Sequence, residues 1–156
     1  MTHKSARKTA RRRMLGVAVV ELGLTMAPVL ILTFGVTEYG RAIYTYNTID
    51  KAARDAARYM TAPPPGSADP EAEARNLVVY GNVAGSGAPL APGLTTGKVE
   101  ICRACDAAHI AVPTGSGVVN LVTVRITGYV YTSIVTYVAP ATLNFSDISV
   151  TMRTNL

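Results

Sequence analysis

Val17-Ala18-Val19-Val20-Glu21-Leu22-Gly23-Leu24-Thr25-Met26-Ala27-Pro28-Val29-Leu30-Ile31-Leu32-Thr33-Phe34-Gly35-Val36 is an apolar run that only Glu21, Thr25 and Thr33 interrupt with polar side chains. At about 1.5 Å of rise per residue, a helix of this length spans roughly the 30 Å hydrocarbon core of a bilayer. The chain of 156 residues is 49% hydrophobic and only 16% charged, which is apolar for one ordinary domain. The run therefore reads as a single membrane-spanning helix, and the rest of the chain is organised around it.

Charge is distributed unevenly about this run. Lys4, Arg7, Lys8, Arg11, Arg12 and Arg13 place six of the 15 basic residues in the first 16 positions, where no acid occurs. The remainder holds nine basic and ten acidic residues, so 9 − 10 gives −1. The pI near 9.4 thus belongs to the leader, and a nucleic-acid partner is not expected of the body. Basic residues flanking the N-terminal end favour a cytoplasmic N-terminus and an extracytoplasmic remainder. Tyr39, Tyr44 and Tyr46 stand where an aromatic belt meets the far interface.

The helix is expected to continue beyond the membrane. Tyr39, Ala42, Ile43, Tyr46, Ile49, Ala53, Ala56, Ala57 and Met60 recur at three- and four-residue steps. Pro63-Pro64-Pro65-Gly66 ends the pattern, giving a helix over 17–61 of roughly 65 Å, with 17–38 in the membrane. Residues 62–97 are rich in Ala, Pro, Gly and Ser. Within them Asp69-Pro70-Glu71 predicts the start of a short helix near 70–80, ended by Gly81. From residue 98 the period changes to two. Lys98–Cys102 reads as a strand, residues 118–138 alternate at Val122, Val124, Ile126 and Val130, and Leu143–Met152 reads as a last strand with a slip near Ser146-Asp147. The expected fold is α+β: a long N-terminal transmembrane helix extending into a small antiparallel β-sheet domain over 98–156.

Glu21 is the one charged group inside the run, and such a residue usually marks function. It lies four residues past Val17, about 6 Å along a helix. Cleavage after Gly16 would give Val17 an α-amine with a pKa near 8, cationic at neutral pH. A neighbouring copy shifted by one turn would bring amine and carboxylate together, and the pair would set subunit register. A carboxylate snorkelling to the near interface is the plainer alternative. Pro28 removes a backbone hydrogen bond and is expected to kink or loosen the helix. Gly23 and Ala27 form a small-x-x-x-small pair.

Gly16 followed by an apolar residue, with Glu21 at the fifth position after the cut, resembles the class III signal of type IV prepilins and pseudopilins. The wider run, Gly16–Leu22, Ala27-Pro28 and Phe34-Gly35-Val36-Thr37-Glu38-Tyr39-Gly40-Arg41-Ala42, is similar to TadE-like proteins of tight-adherence (Flp, type IVc) pili. Ala52–Tyr59 also resembles that family, with Asp55-Ala56 where an acidic-Gly pair is usual, and Ile148–Arg153 resembles its last strand. The resemblance implies a structural minor pilin or pseudopilin, of TadE or TadF type, cut after Gly16 by a prepilin peptidase. Its partners would be other pilins and the inner-membrane assembly platform, and its roles adherence and biofilm formation. The alternative is a membrane-anchored extracytoplasmic ligand-binding or enzymatic domain that shares only the targeting signal.

No enzyme or cofactor is expected, because no catalytic set and no phosphate loop stands out. Cys102 and Cys105, three apart, read as a local disulfide in an oxidising compartment. With Asp106 and His109 they are also the only metal-ligand cluster, and a redox pair is a further reading. Tyr129, Tyr131 and Tyr137 alternate, so one strand would carry them on one face, either packed across strands or exposed.

Overall fold

The computed structural model describes residues 3–103, 105–106, 108–115 and 117–154, with side chains from Gly16 onward. Helix α1 spans His3–Thr61 and passes through Pro28 as a single element. It begins upstream of the expected Val17 because the Arg, Lys, Ala, Met and Leu of the leader are good helix formers and no breaker separates them from the apolar run. Residues 17–34 are exposed on every side of the helix. A window of mean hydropathy 2.1 within Gly16–Thr61, none of it buried, is long and apolar enough to cross a membrane.

Burial starts abruptly at Glu38 and then follows a stripe through Ala42, Thr45, Ile49, Ala52, Ala53, Ala56, Ala57 and Met60. Tyr39 and Ile43, expected in this stripe, stay more than half exposed, while Tyr46 is part-buried. Five alanines in the stripe let the helix axis come close to its neighbours. The helix ends before Pro63-Pro64-Pro65, and its last-turn carbonyl at Thr61 accepts from the Thr154 hydroxyl at 3.2 Å.

Helix α2, Pro70–Tyr80, forms where its caps predict. Asp69 accepts from the Ala72 N–H at 3.0 Å, Pro70 occupies the first turn, and Gly81 closes the C-terminus at φ +72°. Its buried residues Ala74, Val78 and Val79 join the core shared with α1. A 3-10 turn at Thr96–Lys98 leads into the strands.

The strands are β1 Val99–Arg103, β2 Val112–Thr114, β3 Gly117–Ile126, β4 Val130–Thr132, β5 Thr142–Asn144 and β6 Ile148–Thr154. β3 organises the sheet: β1 and β6 pair antiparallel with residues 122–126 from opposite edges, and β2 pairs with 117–119. Val122, Val124 and Ile126 point into the core against α1, as their alternation predicts. β4 and β5 form a separate two-stranded ribbon, Val130 opposite Asn144 and Thr132 opposite Thr142.

Two strand expectations are corrected. The alternating stretch 118–138 does not run as one strand; it breaks at Thr127-Gly128, where φ of +62° at Gly128 turns the chain, and β4 ends at Thr132. Tyr129 and Tyr131 are buried, whereas Tyr137 lies in the β4–β5 loop and is 99% exposed. The slip near Ser146-Asp147 is a true break between β5 and β6, across which Asp147 pairs with Arg125 at 2.7 Å.

Glu73 ties α2 to its surroundings. Its Oε2 accepts from the Tyr59 hydroxyl of α1 and from the Ser67 hydroxyl of the linker. The Ser67 and Tyr59 hydrogen bonds hold the carboxyl below its ordinary range, against an opposing push from burial, and the same contact pushes the Tyr59 phenol up. A lowered folded-state pKa stabilises the fold fully above the ordinary carboxylate range. That contribution is lost as pH falls through the lowered value. Acid denaturation curves of the detergent-solubilised protein should therefore steepen there, and Glu73→Gln should flatten that part of the curve; identical acid limbs would refute the assignment.

Candidate functional site

Gly16, Val17 and Glu21 occupy the exposed first part of α1. No atom lies within 4 Å of where a Cβ on Gly16 would stand, so the glycine is not required by packing inside this chain. Val17 is 59% exposed. Among the described residues the Glu21 carboxylate meets no partner, while the Glu21 carbonyl accepts from the Thr25 hydroxyl at 3.1 Å. The other hydroxyls of the apolar run behave alike: Thr25 also bonds the Leu22 carbonyl at 3.0 Å and Thr33 bonds the Val29 carbonyl at 2.8 Å. Such bonds to the preceding turn hide hydroxyls from lipid. Among the described residues, Glu21 is the one charged group of the span and its carboxylate is left without a partner.

The second site is Glu38, 3% exposed at the outer end of the apolar run. Its Oε1 accepts from the Tyr131 hydroxyl at 2.8 Å and from the Ile134 N–H at 3.1 Å. Arg41, one turn on, approaches the same oxygen at 3.8 Å and donates to the Thr132 carbonyl at 3.3 Å. Its guanidinium also lies over the Tyr131 ring, 5.3 Å from the centroid. The Tyr131 ring stacks on Phe145 at 5.9 Å, and Phe145 meets Tyr46 edge-on at 5.4 Å. A carboxylate, a cation, a phenol and two further rings thus join the root of the helix to the β4–β5 ribbon. A buried carboxylate is tolerated only when its acceptor capacity is met in this way. The sequence reading assigned Glu38 no role. Stepping the buried stripe back by four from Ala42 lands on it, which is the signal that could have found it.

Cys102 and Cys105 are joined by a disulfide with Cα atoms 5.3 Å apart. They stand where the chain leaves β1 on its way to β2, a stretch in which Asp106 pairs with His109 Nδ1 at 2.5 Å and His109 Nε2 meets Thr123 at 2.9 Å. The His109 hydrogen bond holds the Asp106 carboxyl below its ordinary range. The four potential ligand atoms lie within 4.8 Å of one another, but with the sulfurs bonded to each other and His109 engaged on both nitrogens the arrangement braces a loop.

Residues 16–58 match the family model described as TadE-like protein. The match takes in Gly16, Glu21, Glu38 and the alanine stripe as far as Arg58, so this segment is similar to TadE-like proteins. The sheet lies beyond it. No curated protein and no solved structure matches the chain. Within the matched helix, then, one carboxylate is exposed near the cut expected from the sequence and a second faces inward to the chain's own sheet domain.

Tyr131→Phe removes one charge-assisted hydrogen bond while keeping the ring stack, and should destabilise the fold by about 1.5–3 kcal/mol. Denaturant unfolding followed by near-UV circular dichroism reads the loss, and limited proteolysis should show faster cutting in 133–141. Wild-type stability and cutting would mean that Glu38 does not hold the ribbon.

Proposed function

We propose that this chain is a minor pilin or pseudopilin subunit of a Tad (Flp, type IVc) pilus assembly machine. The observation that carries the reading is the outward, unpartnered Glu21 carboxylate, four residues past Val17 on a span whose hydroxyls are all turned back on the helix. The TadE-like match across the same residues supports it.

The chain is held in the inner membrane with residues 1–16 in the cytoplasm and the sheet domain outside. A prepilin peptidase cuts the Gly16–Val17 bond. The new Val17 ammonium of one subunit then pairs with Glu21 of its neighbour, displaced by about one helical turn, or roughly 5.4 Å. Each charge alone in hydrocarbon costs several kcal/mol, and pairing offsets much of that cost. The favourable register is the one in which the two meet. Pro28, within the span, leaves one carbonyl of the preceding turn without its usual donor and so makes that turn the easiest to open when a subunit leaves the bilayer. The sheet domain is carried along as cargo of the helix and forms the surface exposed in adherence and biofilm formation.

Intact-mass and N-terminal analysis of protein purified from cells with an active prepilin peptidase should find Val17 first; a chain still carrying residues 1–16 would refute the processing step. Glu21→Ala should be processed normally and inserted, yet fail to support pili and surface adherence. Normal adherence by that variant would overturn the register role while leaving processing intact.

A further inference from the structure

Ser133-Ile134-Val135-Thr136-Tyr137-Val138-Ala139-Pro140-Ala141 joins β4 to β5 and holds no charged side chain. Ile134 is 72% and Tyr137 99% exposed, so the loop shows large apolar groups instead of burying them. Its direction is fixed at both ends. Thr132, just before it, is held by Arg41, and Val138 Cγ1 lies 3.1 Å from where a Cβ on Gly35 would stand. Between those two helix positions α1 rises about 9 Å. The loop therefore runs back along the helix, away from the sheet and toward the apolar span.

Bonds to the helix and within the loop hold its ends in place. The Ser133 N–H donates to the Ala141 carbonyl at 3.0 Å, the Ile134 N–H to Glu38, and the Val138 and Ala139 N–H groups both to the Val135 carbonyl at 3.2 Å. Pro140 has no N–H to satisfy. Between loop and helix lies an open apolar groove lined by Ile31, Gly35, Val36, Tyr39, Ile43 and Val138. Its inner end, at Ile31, belongs to the helix surface at 17–34 that is exposed all round.

We propose that the 133–141 loop is a second membrane contact, an interfacial anchor that seats Ile134, Tyr137 and Val138 in the headgroup–acyl boundary of the leaflet from which α1 emerges. The occupant of the groove is lipid. The groove continues a helix surface that faces lipid on every side, and the loop reaches the level of that surface's outer end. Tyr137 and Tyr39 supply rings of the kind that settle at this depth. With no charge in the loop, the contact rests on apolar area and does not select anionic headgroups. The inference depends on the membrane-spanning reading of α1, and its test separates the two.

Full-length protein carrying Tyr137→Cys, Leu24→Cys or Thr114→Cys is labelled with an environment-sensitive fluorophore, the Cys102–Cys105 disulfide leaving the new thiol as the reactive one. Each variant is reconstituted into phosphatidylcholine vesicles with and without nitroxide-bearing lipid. Thr114 belongs to the β2–β3 hairpin, near the end of the sheet that meets Thr61, and reports water. The expected result is loss of emission to the lipid quencher at 24 and at 137, with none at 114, and an unchanged pattern when anionic lipid is added. Quenching at 24 without quenching at 137 overturns the anchor and leaves the span standing. Absence of quenching at 24 refutes the span and the anchor with it. Shielding at 137 that grows with protein-to-lipid ratio and is indifferent to the quencher assigns the loop to a second copy of the chain, and also overturns the proposal.

Discussion

A carboxylate buried at the root of a long helix constrains this molecule more than any other group. Glu38 stands where the apolar run stops, and it cannot be buried without donors. Tyr131 and the backbone of Ile134 supply them, with Arg41 beside, and all but Arg41 come from a ribbon more than ninety residues later in the chain. The helix root and the β4–β5 ribbon are therefore ordered together or not at all. The rest of the sheet domain hangs from α1 between this point and the Thr61–Thr154 hydrogen bond at the helix end, about 35 Å away along the axis.

Between those two points small side chains make much of the contact. Ala42, Ala53, Ala56 and Ala57 share a core with Val122, Val124 and Ile148, filled out by Ile49 and Met60. One helix thus serves two solvents. Its first part is apolar all round and long enough to cross a bilayer, and its second is apolar on one stripe and faces protein. The change happens within one turn, between Gly35 and Glu38.

Local signals were strong enough to read much of this from the chain. The apolar run, the Pro63–Pro65 stop, the Asp69-Pro70 and Gly81 caps and the Val122-Val124-Ile126 alternation each act over a few residues, and each formed the expected element. What stayed hidden depends on long-range partners. Glu38 reads in sequence as the polar end of a span, because nothing nearby reveals Tyr131. The tyrosines 129, 131 and 137 read as one face of one strand, because alternation cannot show that Gly128 turns the chain or that the ribbon stops at Thr132. The disulfide partners are local, yet their role depends on where β3 holds His109. Glu21, by contrast, could be picked out by sequence, since a carboxylate within an apolar run stands out without any long-range contact.

The threonine hydroxyls folded back on α1 carry a further meaning for how helices meet in the bilayer. Many lateral contacts in membranes draw on a ladder of polar side chains, any of which a neighbour can engage. Here the rungs are spent on the helix itself, and one group is left near one end. In the assembly proposed above, a passing helix would meet smooth hydrocarbon everywhere except at a single index mark. Sliding past it would be cheap, stopping short would gain little, and the position would be effectively digital: engaged or not, with no graded series of half-fits to trap an assembling chain.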